Sequence, residues 1–189
     1  MANEEAVMEL MNQLVIADKH VIGDLMAHKG FWTAGVSAVN NSYKALNTLV
    51  EAGRIERGEG YYRLPSCKSE YKEHAQLLTK ALTEILKLNL KTKIHREITL
   101  SDIGVRPDSL VFLKRENKAI MFSLEICNNE FPEFLVQKVN ALRGYDGALQ
   151  KFSHLFETNI KSFDIVVSGD ITADGTFEFK QYLEEVKNV

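Results

Sequence analysis

The chain has 189 residues, 45% of them hydrophobic and 26% charged, with only three prolines and eleven glycines. That balance excludes a disordered or collagen-like chain and allows one large folded domain or two small ones. Lys and Arg total 23 against 26 Asp and Glu, a net charge of −3. This speaks against a protein that coats nucleic acid, because phosphate neutralisation by Lys and Arg supplies most non-specific affinity.

No apolar run approaches the roughly 20 residues that span a bilayer. The acidic opening Met1-Ala2-Asn3-Glu4-Glu5 lacks the basic leader of a secretory signal. Cys67 and Cys127 are too few for a disulfide framework or a four-ligand zinc site. A cytoplasmic protein without membrane contact is expected.

Val7, Met8, Leu10, Met11 and Leu14 recur at helical spacing over residues 4–14, with Glu4, Glu5 and Glu9 towards the positive N-terminal end. Asp18 is a candidate N-cap for a second helix from Lys19 to His28, which Lys29-Gly30 would stop. A third helix is predicted from Val36 to Ala52, with Val39, Tyr43, Leu46, Leu49 and Val50 on its inner face and Gly53 after its end. Tyr43 is expected to pack in the core, with a contact to a DNA base as the alternative, and Phe31 and Trp32 to cap the core from the preceding turn. Arg54 to Arg57, Gly58-Glu59-Gly60 and Tyr61 to Leu64 then read as strand, turn and strand.

Three helices and a hairpin in some 60 residues resemble a winged helix-turn-helix, most of all across Tyr43-Lys44-Ala45-Leu46-Asn47-Thr48-Leu49-Val50-Glu51-Ala52-Gly53-Arg54-Ile55. The resemblance implies that helix three enters the major groove of double-stranded DNA. Thr33, Ser37, Asn40, Asn41, Ser42, Lys44 and Asn47 would be its outward polar residues, with Arg54, Arg57 and Arg63 on or beside the wing. Of these, Ser37, Asn40, Asn41, Lys44, Arg54, Arg57 and Arg63 are the candidate DNA contacts. A winged helix used only for protein contacts is the alternative, since a fold does not fix a function.

Residues 1–65 hold six basic and eight acidic residues, yet four of the six bases, from Lys44 onward, fall on the candidate contact elements. Four of the acids lie on the first two helices, away from the expected groove surface. Such a charge pattern limits affinity without excluding DNA, and it favours a homodimer.

A break is expected near Leu64-Pro65-Ser66, dividing the chain into domains 1–65 and 66–189. The second part begins with a helix from Ser69 to about Asn89, whose apolar stripe is Leu77, Leu78, Ala81, Leu82, Ile85 and Leu88. Strands are predicted at Lys93–Ile98, Ser109–Leu113 and Ala119–Ile126, with a turn at 114–118. A long helix follows from Pro132 to about Phe152, then a strand at Phe163–Ser168 and a helix from Phe177 to Lys187. The order α-β-β-β-α-β-α indicates an α/β (α+β) domain, a mixed sheet flanked by helices.

Arg106-Pro107-Asp108 precedes one of these strands and Glu125 ends the next. This placement resembles the PD-(D/E)xK nuclease superfamily. The resemblance implies a restriction-endonuclease-like fold in which Asp108 and Glu125, with Glu73 or Glu84 from the preceding helix, hold Mg2+ for water activation. The lysine position of the motif is occupied by Cys127, and a thiol cannot replace an ammonium. Lys138 or Gln137 on the next helix could substitute, with Tyr145 seven residues after Lys138.

The winged helix, the wing end Tyr61-Tyr62-Arg63-Leu64, the following helix with His74, Arg106-Pro107-Asp108 and Leu124-Glu125 together are similar to the plasmid replication-relaxation family. That family usually places an acid where Cys127 stands, and His74 is read as structural. The resemblance implies a DNA-binding accessory or regulatory protein of a plasmid or other mobile element, acting in replication, mobilisation or transcription with other proteins of that process. Cys127 favours a catalytically degraded nuclease-like domain needing no cofactor. The alternatives are a Mg2+-dependent DNA endonuclease using Asp108, Glu125 and Lys138, with Glu73 as a further metal ligand, and a protein-interaction module without DNA affinity.

Overall fold

The computed structural model describes residues 2–88, 90–96, 98–116, 118–128 and 132–188. Asn89, Glu97 and Asn117, which the expected helix end, strand and turn include, lie outside the described residues. The chain divides into two compact units, Met1–Leu88 and Asn89–Val189.

In the first unit, α1 (Ala2–Leu14) is followed by β1 (Ile16–Ala17), α2 (Lys19–His28) and α3 (Val36–Glu51). The wing is β2 (Glu56–Arg57) and β3 (Tyr62–Arg63). The strands form an antiparallel sheet in the order β1-β3-β2, with Ile16 opposite Arg63 and Arg57 opposite Tyr62. This is the winged-helix arrangement. The Asp18 side chain caps α2 as expected, accepting from the backbone N–H of His20 and Val21 at 2.7 and 2.9 Å.

The strand β1 escapes a sequence reading because two residues carry no period. Its cause is local. Val15 takes a left-handed conformation (φ 68°) that ends α1 and turns the chain, and its carbonyl accepts from Leu64 N–H at 2.8 Å. α2 and α3 approach closely at Gly23, where a Cβ would stand 3.2 Å from the Ala38 backbone. Val7, Met11, Leu14, Ile22, Leu25, Met26, Leu46 and Leu49 fill the core.

A 3-10 turn, Ser69–Tyr71, leads into α4 (Lys72–Leu86). This helix packs on α1 and β1 and belongs to the first unit, so the units divide at residues 88 and 89 rather than at 65 and 66. The physical reason is visible at Thr79. Its buried hydroxyl lies 3.0 Å from the Leu14 carbonyl at the end of α1 and 2.6 Å from the Ile16 carbonyl of β1, so one donor on α4 is shared by both elements. Ala75, Leu78, Leu82 and Ile85 bury the apolar face, while Leu77, expected on the same stripe, is 38% exposed.

The second unit is built on a five-stranded mixed sheet in the order β4-β5-β6-β7-β8. Its strands are β4 (Lys91–Arg96), β5 (Ser109–Arg115), β6 (Lys118–Cys127), β7 (Asp164–Gly169) and β8 (Phe177–Glu178). β4, β5 and β6 are antiparallel neighbours, whereas β6, β7 and β8 run parallel. α5 (Pro132–Arg143) and α6 (Ala148–Phe156) connect β6 to β7, and α7 (Phe179–Lys187) closes the described chain. The expected mixed sheet flanked by helices is therefore present.

Two of the predicted helices differ from the sequence reading. The helix predicted as continuous from Pro132 to Phe152 is broken between Arg143 and Ala148, where Gly144 and Gly147 stand. Glycine lowers helix propensity at such a point by about 1 kcal/mol relative to alanine. β8 takes the first two residues of the last predicted helix. α7 then starts behind Glu178, whose carboxylate accepts from Lys180 and Gln181 N–H at 3.1 and 2.9 Å. The core gathers Leu110, Phe112, Leu135, Val139, Leu142, Phe152, Phe156 and Val167. At the end of β7, Gly169 has φ 151°, and a Cβ there would run into the Cys127 carbonyl.

Candidate functional site

The register of β5 and β6 creates the site. Ser109, the first residue of β5, stands opposite Leu124 of β6. Asp108, just before β5, therefore reaches Glu125, next along β6. Ile126 N–H donates to Asp108 Oδ2 at 2.7 Å, and Asp108 N–H donates to Glu125 Oε2 at 3.4 Å. The Asp108 carboxylate is thus held by the backbone just after Glu125, and the Glu125 carboxyl by the backbone of Asp108, seventeen residues away in sequence.

α5 supplies the third group. Lys138 Nζ forms a close ion pair with Glu125 Oε2 and lies 3.6 Å from Asp108 Oδ1. Lys138 sits on the helix after the β5–β6 hairpin, where a displaced lysine was expected. Cys127 is 3% exposed and joins the apolar cluster of Leu135, Val139 and Leu142, so its side chain is occupied in packing. Gln137, the other substitute considered, is exposed on α5.

Glu125 is 1% exposed. Burial pushes its carboxyl up from an ordinary 4.5 to about 8; the Lys138 ammonium opposes this and the Asp108 charge adds to it. Glu125 therefore holds its proton more tightly than an ordinary carboxyl, against the pull of the Lys138 charge. Its Oε1 is buried without a hydrogen-bond partner among the described residues. A buried oxygen left open beside a second carboxylate is a place for a cation or a water.

Other candidates lie elsewhere. Tyr145 donates its hydroxyl to Asp102, and Lys151 reaches the same carboxylate at 3.3 Å. The Tyr145 bond, followed by Lys151, holds the Asp102 carboxyl below its usual range. Asp102 carried no sequence signal, lying in a loop far from Tyr145 in the chain. Glu73 is exposed on α4 of the first unit, where His74 is half-buried. Glu84 lines a cavity of about 390 Å3 in that unit, together with Ile16, Val21, Tyr61 and Lys80. Among the described residues no three His, Cys, Asp or Glu side chains group as a metal cage.

On the first unit, Ser37, Asn40, Asn41 and Lys44 are exposed along α3. The Ser37 hydroxyl bonds the Thr33 carbonyl at 3.0 Å, and Thr33 itself precedes the helix. Ser42, expected to face outward, is fully buried and donates to the Lys19 and Val39 carbonyls at 2.5 and 2.8 Å. Asn47 accepts from the Tyr62 hydroxyl at 3.1 Å, which ties the wing to α3.

The arginines divide by their partners. Arg54 pairs with Glu5 of α1 at 2.8 Å, so that acid does not lie away from the candidate surface. Arg63 pairs with Glu56 across the wing at 2.9 Å. Arg57 is exposed beside Tyr43. Tyr43, expected in the core, is 39% exposed, and Phe31, expected to cap the core, is 51% exposed. Tyr43 sits at the edge of the apolar stripe of α3, where helical spacing does not separate inside from outside, and Phe31 lies in the turn before that helix.

No family model and no curated protein matches the chain. Among solved structures it is similar to restriction endonuclease FokI, at 13% identity and a TM-score of 0.28, over 99% of this chain and 41% of that one. It is also similar to protein VC1899 from Vibrio cholerae, at 12% identity and a TM-score of 0.20, over 99% of this chain and 49% of that one. The chain thus spans less than half the length of either. The nuclease-like likeness is weak, and the case for the site rests on Asp108, Glu125 and Lys138 themselves. No helix among the described residues is long and apolar enough to cross a membrane.

Proposed function

We propose that the protein binds DNA through its winged helix and cleaves phosphodiester bonds at the Asp108–Glu125–Lys138 site with a divalent cation. The observation that carries this reading is the approach of both carboxylates to one ammonium group, Lys138 Nζ. The missing lysine at position 127 was the ground for expecting a degraded site, and Lys138 supplies that charge from α5.

The residues fit a cation in part. Two carboxylates converge, and Glu125 Oε1 is open. Mg2+ held by Asp108 and Glu125 would lower the pKa of an attacking water and offset charge on the phosphate. Asp108 is oriented for this by Ile126 N–H on one oxygen, which leaves the other directed towards Lys138. A cation at this place would favour the ionised form of Glu125. Lys138 donates to the phosphate oxygens or to the attacking water, providing positive charge where the transition state gains negative charge.

A second reading is a DNA-binding accessory protein that does not cleave. It is favoured by the lack of a third His, Cys, Asp or Glu at the site among the described residues. Incubation with supercoiled DNA in Mg2+ or Mn2+ separates the two. Nicking that falls at least about a hundredfold in both Asp108→Asn and Lys138→Ala supports the nuclease. Intact DNA with the wild-type protein supports the accessory role. A homodimer and an association with plasmid or other mobile-element replication belong to this proposal through the family resemblance, and sedimentation of the protein alone and on DNA tests the dimer.

A further inference from the structure

We infer that Lys19, Tyr43 and Arg57 form the anchor by which the first unit grips the sugar–phosphate backbone of duplex DNA. This rests on the DNA-binding reading above; it adds Lys19, which the sequence did not single out, and gives Tyr43 a place at the backbone rather than in the core or against a base.

The three side chains come from three elements: the first residue of α2, the middle of α3 and the outer wing strand β2. Lys19 Nζ lies 5.7 Å from the centre of the Tyr43 ring and Arg57 Cζ lies 5.8 Å from it. The flanking elements are pinned to α3 on both sides of Tyr43. The Ser42 hydroxyl bonds the Lys19 carbonyl, fixing the start of α2. The Tyr62 hydroxyl bonds Asn47, one turn further along α3, fixing the wing strand that pairs with Arg57. The backbone segments that carry the two cations are therefore fixed against α3 before any ligand arrives, which reduces the ordering cost of binding.

Charge separates this cluster from the other wing arginines. Arg54 and Arg63 are spent on Glu5 and Glu56. Neither Lys19 nor Arg57 forms an ion pair with a carboxylate among the described residues, and Tyr43 is open to solvent between them. The Tyr43 phenol is drawn below its usual range by its bond to Asn47 and then by the Arg57 charge, consistent with a positive local field. Two uncompensated cations beside an exposed hydroxyl suit phosphate oxygens, which such groups contact without reading sequence.

The test is fluorescence anisotropy of a labelled duplex with the full chain, at salt from 50 to 200 mM. Lys19→Ala with Arg57→Ala should weaken binding about tenfold and lower the slope of log affinity against log salt by about one to two. Tyr43→Ala should weaken it as well, and Arg54→Ala with Arg63→Ala should change it less than about twofold. Lys19, Tyr43, Arg54 and Arg57 are exposed and Arg63 is half-buried, and unchanged thermal unfolding excludes misfolding as the cause. Wild-type affinity and slope in the Lys19/Arg57 variant overturn the inference while leaving DNA binding in place. So does an equal loss in the Arg54/Arg63 variant. A wild-type protein without affinity for the duplex overturns the DNA-binding reading and the inference together.

Discussion

Replacing Glu125 by glutamine should leave stability almost unchanged in acid and raise it steadily towards alkaline pH. The carboxyl is buried, and its pKa in the folded protein is about 8 against an ordinary 4.5. Between those values the unfolded chain has lost the proton and the folded chain still holds it. Fewer protons are bound unfolded than folded, so this residue lowers stability as pH rises, by about 1.4 kcal/mol per pH unit. The fall starts at the unfolded value and is complete near the folded one. Over the interval of 3.5 units it amounts to about 5 kcal/mol. Glutamine keeps the shape and cannot ionise, so its stability relative to wild type should climb over the same window. Urea unfolding of both proteins at about pH 5, 7 and 9 measures this, and taking the difference removes every titration the two share. A difference that stays flat, or falls as pH rises, would refute the reasoning. It would mean that Lys138 holds Glu125 charged and that the ammonium outweighs burial.

Three further outcomes are expected. Thr79→Val keeps the volume and removes the donor that Leu14 and Ile16 carbonyls share; it should cost about 1–3 kcal/mol in denaturant unfolding. A fragment of residues 1–88 should unfold cooperatively by circular dichroism, and one of residues 1–65 should not, because it lacks α4. Gly169→Ala places a Cβ against the Cys127 carbonyl at φ 151° and should cost about 2–4 kcal/mol or abolish soluble expression.

Much of the chain was legible before any coordinates, and the reasons are local. Asp18 before Lys19 marks a helix start by a bond two and three residues away, so α2 was placed to the residue. β5, β6 and β7 were found within a few residues because buried strands are short apolar runs. The winged helix could be read from helices closed by glycines and a Gly-rich turn. Where local signals compete, boundaries slipped, as at Gly144 and Gly147 and at the two-residue strands β1 and β8.

The sequence by itself determined the element types, the kind of residues available for chemistry and the absence of a lysine at position 127. Tertiary structure decided which of those residues meet. Sheet register brings Asp108 to Glu125, and the placement of α5 brings Lys138 to both, because pairing and helix packing act over distances that no sequence window contains. It also decided which charges remain available. Glu5 reaches Arg54, Glu56 reaches Arg63, and burial above all raises the carboxyl of Glu125 well above its ordinary range. Net charge and motif spacing fix the inventory, while desolvation and contact, which exist only in the folded chain, set what each charged group can do.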